Sequence, residues 1–359
     1  MAKVLSRHVP SWNQRAFVKA ASGNLDSLEL KERSEQIYNT LCEYLPADFP
    51  TAAECIRHSL HPAVDGNARS EGTTEQGIQG WLILPLTEYV GRHGDKSLSL
   101  ALELLKELTM RFTSEFGIRH LWLSRPEEVM PIVSQWVHHE NEHVRRLVSE
   151  GSRPRLPWGL QLRGFIEQPK RTWHLLEALR DDPSPYVRKS VANHLNDNAR
   201  DHPECVVELA RDWQRGASQD RQRLIRHALR NLLKKGHPQA LSIYQLDQPL
   251  LQEAELHLNR KHIAMGQELE FSLDLISAGS SSQTIRLDYV IHHRKANGRT
   301  SPKVFRWKDI ALVPNLLQRC IRRHSFRPVS TRVYYPGLHL IEIKANGIVI
   351  AESEFQLSQ

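Results

Sequence analysis

The 359-residue chain has no hydrophobic run that could cross a bilayer. Its most apolar stretch, WLILPL at 81–86, is about a third of the length a spanning helix needs. The opening residues, MAKVLSRHVPSWNQ, lack the apolar centre of a secretory leader, so no signal peptide is expected. Cysteine is scarce: Cys42, Cys55, Cys205 and Cys320 are scattered, with no CxxC pair. They are expected to be free thiols in a reducing cytoplasm, not a disulfide frame or a zinc site. The 19 histidines include one HExxH string, at 139–143, of which only the last residue falls on the helix read at 143–151. No metal and no other cofactor is expected. An acidic excess is missing too.

What is present is positive charge, unevenly placed. The net charge is +7 and the pI about 9.3. Residues 1–124 carry 13 Lys/Arg against 15 Asp/Glu, residues 125–235 carry 20 against 15, and residues 250–359 carry 15 against 10. Asp247 is the one charge between the last two segments. The surplus in the middle and at the end suits a polyanionic partner.

Two periods divide the chain near residue 245. Before it the apolar spacing is helical. Leu30, Ile37, Leu41 and Tyr44 share a side of 26–46, and Leu98, Ala101, Leu105, Leu108 and Phe112 recur through 97–112, with Ser97 as the expected N-cap. Residues 61–80, polar and glycine-rich, are expected to form a long loop. After residue 250 the period is two: Leu269, Phe271, Leu273 and Leu275 alternate with polar residues, as do Ile285, Leu287, Tyr289 and Ile291. Asn346-Gly347 is a type I′ hairpin signal and Asn297-Gly298 a second tight turn. This predicts a domain at 1–245 and a small antiparallel, Ig-like β-sandwich at 250–359. The cysteine pair and central tryptophan of antibody domains are missing from it.

The helical part repeats itself. HVRRLVSEG (143–151), YVRKSVANHL (186–195) and LIRHALRNLL (224–233) align Val144, Val187 and Ile225, then Arg145, Arg188 and Arg226. The intervals are 43 and 38 residues, and RFTSE (111–115) matches RLVSE (146–150) at 35. Irregular spacing of this size predicts HEAT-like helix pairs stacked as an α-helical solenoid. If the pairs stack in order, Glu115, Glu150 and Asp197 converge, with cations around them. Each residue also has a plainer role. Arg145 and Arg188 would bridge neighbouring units, Glu150 would pair with Arg146 at i,i+4, Asp197 would cap the helix after it, and Trp158 would be core.

SRPRLPWG (152–159) and SPYVRKSVANHLNDNARDHP (184–203) closely resemble the HEAT-repeat DNA glycosylases of the AlkC branch of the AlkC/AlkD superfamily. Residues 25–37, 45–50, 111–119 and 226–236 resemble the same family, and the β-rich tail resembles the Ig-like domain carried by part of it. The resemblance implies a monofunctional glycosylase that removes N3-methyladenine and N3-methylcytosine from double-stranded DNA without drawing the lesion into a deep pocket. It implies active-site positions at Glu115, Glu150, Trp158 and Asp197. A cytoplasmic monomer acting on DNA is expected, and no membrane partner.

The chemistry fits those residue types. A cationic base leaves as a neutral one, so the positive charge moves to the sugar. Carboxylates stabilise that oxocarbenium ion and can take a proton from the attacking water. An indole face can lie against the cation. Arg146, Arg153, Arg155, Lys189, Asn193, His227 and Arg230 are expected to hold the DNA backbone. The alternative is a non-catalytic HEAT-repeat scaffold or damaged-DNA-binding protein, which has no need of converging carboxylates.

Overall fold

The computed structural model describes residues 1–62, 72–329 and 332–359. Part of the expected 61–80 loop, residues 63–71, lies outside the described residues. The chain divides into two compact units. One comprises Met1–His202 with Gly216–Ala228, the other Pro203–Arg215 with Leu229–Gln359. No described helix is long and apolar enough to cross a membrane.

The first unit is helical, and its repeat shows in the ion pairs. Three second helices, Glu142–Gly151, Pro185–Asn198 and Gln219–Ala228, pack side by side in sequence order. Their apolar stripes are fully buried: Val144, Leu147 and Val148, then Val187 and Val191, then Ile225 and Ala228. Asn141 caps the first of them by accepting from the His143 amide. The repeated arginine has one geometry, used twice. Arg145 donates to the His139 and Glu140 carbonyls, six and five residues back, and to the Asp182 carboxylate of the next unit. Arg188 does the same with the Asp182 and Pro183 carbonyls and with Asp220. These arginines tie successive units together.

Two local expectations are corrected. Ser97 occupies the cap of the Leu98–Thr109 helix, but its side chain makes no capping bond. RFTSE does not continue that helix as RLVSE continues its own. Glu115 lies in the turn before the Ile118–Ser124 helix. That turn is set by a close backbone approach, because a Cβ on Gly117 would lie 2.1 Å from the Thr87 carbonyl oxygen.

The second unit carries the strands β1 (Leu251–Leu258), β2 (His262–Ala264), β3 (Glu268–Ser277), β4 (Gln283–Arg294), β5 (Thr300–Leu312), β6 (Gln318–Ser325), β7 (Gly337–Ala345) and β8 (Ile348–Ser358). They form sheets of order β1-β3-β6 and β2-β8-β7-β4-β5. All pairs are antiparallel except the short β2–β8 pair, which is parallel. The alternating residues of β3 and β4 face one core, closed by Phe326, Phe355 and Trp307. Trp307, passed over as a core element by the sequence reading, packs edge-on against Phe271 at 5.2 Å. Asn346 and Gly347 both have positive φ and turn β7 into β8. At Asn297-Gly298 only Gly298 is left-handed. Beside the first turn, Gly236 and Gly347 pass so closely that a Cβ on Gly347 would lie 2.3 Å from the Gly236 Cα.

Candidate active site

A cavity of about 340 Å³ opens in the first unit. Glu115, Glu150, Arg153 and Trp158 line it, as do Lys31, Trp81, Glu88 and Phe112. The walls come from the Leu30–Tyr44 and Ile83–His93 helices, the Glu115 turn, the end of the Glu142–Gly151 helix and the loop after it.

Behind the wall runs an alternating chain of charge. Arg146 pairs with Glu115 and, at 3.3 Å, with Glu150. Arg153 donates to Glu150 at 2.8 Å and grips both Asp197 oxygens at 2.8 and 3.1 Å. Ser190 donates to the second Glu150 oxygen at 2.5 Å. The three carboxylates expected to converge are thus joined through two guanidinium groups. Glu115 and Glu150 reach the cavity wall, whereas Asp197 is not among the lining residues.

The electrostatics follow from burial. Desolvation pushes the Glu150 carboxyl up, but the charges of Arg146 and Arg153 and the hydrogen bonds from Ser190 and Arg153 outweigh it, so the group sits below its usual range. Glu150 is anionic at neutral pH. A third guanidinium, Arg119, is fully buried nearby and donates to the Gly151 and Leu160 carbonyls. Burial lowers it to about 10, with the Arg153 charge acting in the same direction, and it remains cationic. Arg119 and Arg146 stand behind the wall, so the cavity itself meets Glu88, Glu115 and Glu150 against Lys31 and Arg153.

The loop that presents Trp158 is pinned at several points. The Leu162 amide donates to the Pro154 carbonyl, the Gly159 amide to the Leu156 carbonyl, and Arg119 holds Leu160. Leu156 is buried. Trp158 itself has φ +64°, a conformation that costs a bulky residue on the order of 1–3 kcal/mol. Lys31 donates to its carbonyl, and the indole is left 71% exposed. It is not core.

The cations expected on DNA separate into groups. Arg146 and Arg153 belong to the carboxylate chain; Arg153 is buried, only 6% exposed, and Arg146 is half-buried. Their guanidinium groups face acids, not solvent, because three carboxylates packed together need them as counter-charges. Arg155 pairs with Asp201 at 2.8 Å at the surface. Lys189 and His227 line a second hollow with Arg188 and Arg223, and His227 is 2.9 Å from the Asn193 side-chain oxygen. Arg230 begins a helix of the other unit. The sequence reading missed Arg119, Ser190, Lys31, Trp81 and Glu88. Arg119 carried a signal, a lone cation among Ile118, Leu121 and Trp122. The others are joined to the site only by packing.

Residues 252–359 match the family model described as the C-terminal Ig-like domain of the uncharacterised protein YhaZ. The uncharacterised protein YhaZ of Bacillus subtilis (strain 168) is 33% identical over 350 residues, 97% of this chain and 93% of that protein. The Pseudomonas fluorescens alkylpurine DNA glycosylase AlkC, solved on DNA containing an abasic site analog, superposes with a TM-score of 0.87 at 31% identity, covering 100% of this chain and 96% of that one. The chain belongs to the AlkC-type family. Its fold is the AlkC-like helical unit followed by an Ig-like β-sandwich. Within this AlkC-type chain the four residues singled out from the sequence occupy one neighbourhood, three at the cavity wall and Asp197 one guanidinium behind it.

Proposed function

We propose that the chain is a monofunctional DNA glycosylase that excises cationic alkylated bases, N3-methyladenine and N3-methylcytosine, by hydrolysis of the N-glycosidic bond. The observation that carries this reading is the cavity wall on which Glu115 and Glu150 stand beside an exposed indole, with Arg153 at the same wall and Arg146 behind it as counter-cations. The similarity to a glycosylase along the whole chain supports it.

In this reading no acid is needed on the base, which already carries the positive charge. As the bond breaks, that charge passes to the deoxyribose. Fixed carboxylates beside the sugar stabilise it without reorganising, because Arg146, Arg153 and Ser190 already hold them. A carboxylate at the wall takes the proton of the attacking water. Asp197 acts through Arg153. By fixing that guanidinium it keeps Glu150 ionised and turned to the cavity. Trp158 lays its face against the base or sugar, a contact of about 1–2 kcal/mol when desolvated. Arg155, Lys189, Asn193, His227 and Arg230 remain the proposed contacts to the DNA backbone. Arg146 and Arg153 are withdrawn from that set and given to the carboxylates. Residues 1–245 are proposed as the catalytic domain and 250–359 as the Ig-like domain.

The test is release of base from methylated DNA by the full chain, with products resolved chromatographically. N3-methyladenine and N3-methylcytosine are expected. DNA binding with no base released, from folded protein, would replace this reading with that of a non-catalytic damage binder.

A further inference from the structure

Two tryptophans are exposed at the same cavity. Trp158 is 71% exposed and Trp81 61%, and both line it. They come from separate elements. Trp158 is on the pinned loop, and Trp81 is on the single 3-10 turn Gly80–Leu82. That turn is anchored, since the Gly80 amide donates to the Arg111 carbonyl at 3.1 Å and Gln79 is buried. Phe112, also at the wall, supports the Trp81 ring at 4.9 Å between centroids. An indole left in water on a rigid turn forgoes the burial that large aromatics normally gain. Two at one hollow mark a surface kept for a ligand with a π-face.

The charge of the lining decides what kind of ligand. Glu88, Glu115 and Glu150 stand with the tryptophans. Glu88 is kept ionised: burial raises its carboxyl, but the hydrogen bond and charge of His120 and the charges of Arg92 and Lys31 bring it below the usual range. Of the two lining cations, Lys31 is occupied with the Trp158 carbonyl and Arg153 with Glu150 and Asp197. A neutral ring would stack on the indoles yet gain nothing from the carboxylates. A planar cation gains from both.

We propose that Trp81, supported by Phe112, is a second aromatic wall of this cavity and selects planar organic cations over neutral rings of the same shape. Under the function proposed above, on which the identity of the ligand rests, Trp81 is a specificity-determining residue for positively charged bases.

The selection is testable without any glycosylase activity. The full chain is titrated with 1-methylnicotinamide, a planar cation, and with nicotinamide, its neutral counterpart, by ligand-observed NMR. The cation is expected to bind on the order of tenfold more tightly. Trp81→Ala removes that preference and Trp81→Phe keeps most of it. Because Trp81 is exposed, its truncation opens no core cavity, and circular dichroism checks that the fold is kept. Equal affinities for cation and neutral ring in the unmodified protein overturn the proposal, and so does a preference untouched by Trp81→Ala. On methylated DNA, Trp81→Ala is expected to lower kcat/KM for cationic lesions by roughly tenfold. Cation preference without any base release leaves the aromatic wall standing and removes the glycosylase reading. Base release with no effect of Trp81→Ala in either assay removes the wall alone.

Discussion

Arg153→Ala probes the hub of the charge chain. The guanidinium makes two hydrogen bonds to Asp197 and one to Glu150, and is 6% exposed. Its removal takes the shared counter-charge from Asp197 and leaves Glu150 to Arg146 and Ser190 alone. Deleting one partner of such a buried pair typically costs about 3–5 kcal/mol, well above the few tenths of an ordinary surface change. The pH dependence gives a sharper check. The Glu150 carboxyl is depressed in the fold, so its contribution is fully present above the unfolded value and is lost as pH falls through the lower folded value. Without Arg153 the depression shrinks. The penalty is therefore largest near neutral pH and smaller toward pH 4, where protonation relieves the under-compensated carboxylates. Urea unfolding of both proteins at pH 7.5 and pH 4.5 measures it. A loss below about 1 kcal/mol at neutral pH, or an equal loss at both pH values, refutes the assignment. The variant is also expected to keep the salt slope of DNA binding, because a buried guanidinium releases no counterions. A slope reduced by about one would put Arg153 back on a phosphate.

The remaining predictions address single links. Asp197→Asn keeps the shape but weakens the hold on Arg153, and excision is expected to fall by about 10²–10³ with DNA affinity little changed. Equal loss of both would remove the role given to Asp197. Lys189→Ala, at the exposed hollow, should lower the salt slope of binding by about one, and an unchanged slope places it off the DNA. Gly347→Ala meets positive φ and the Gly236 backbone together, so a loss of at least about 1–2 kcal/mol is expected in chemical unfolding. Buried His293 and His324 are lowered to about 3 and about 4, chiefly by desolvation with Arg332 adding to it. Both are neutral in the fold but charged in the unfolded chain below pH 6.5. Stability should then fall on acidification by on the order of 1 kcal/mol per histidine per pH unit. A flat profile between pH 6 and 5 contradicts that burial.

The sequence by itself determined what depends on neighbours along the chain. Helical stripes such as Val144, Leu147 and Val148, the alternation of β3 and β4, and the turn at Asn346-Gly347 follow from local geometry and were legible. So was the repeated arginine, since its carbonyl partners lie five and six residues before it. Tertiary structure alone decided which opposite charge each arginine would take. Arg153 meets Asp197 across 44 residues, whereas sequence spacing offers many acids and no means of choosing among them. For the same reason Arg146 and Arg153 read as phosphate ligands until packing turned them onto acids, and Trp81, legible only as part of an apolar run, joined Trp158 at one cavity only through the fold.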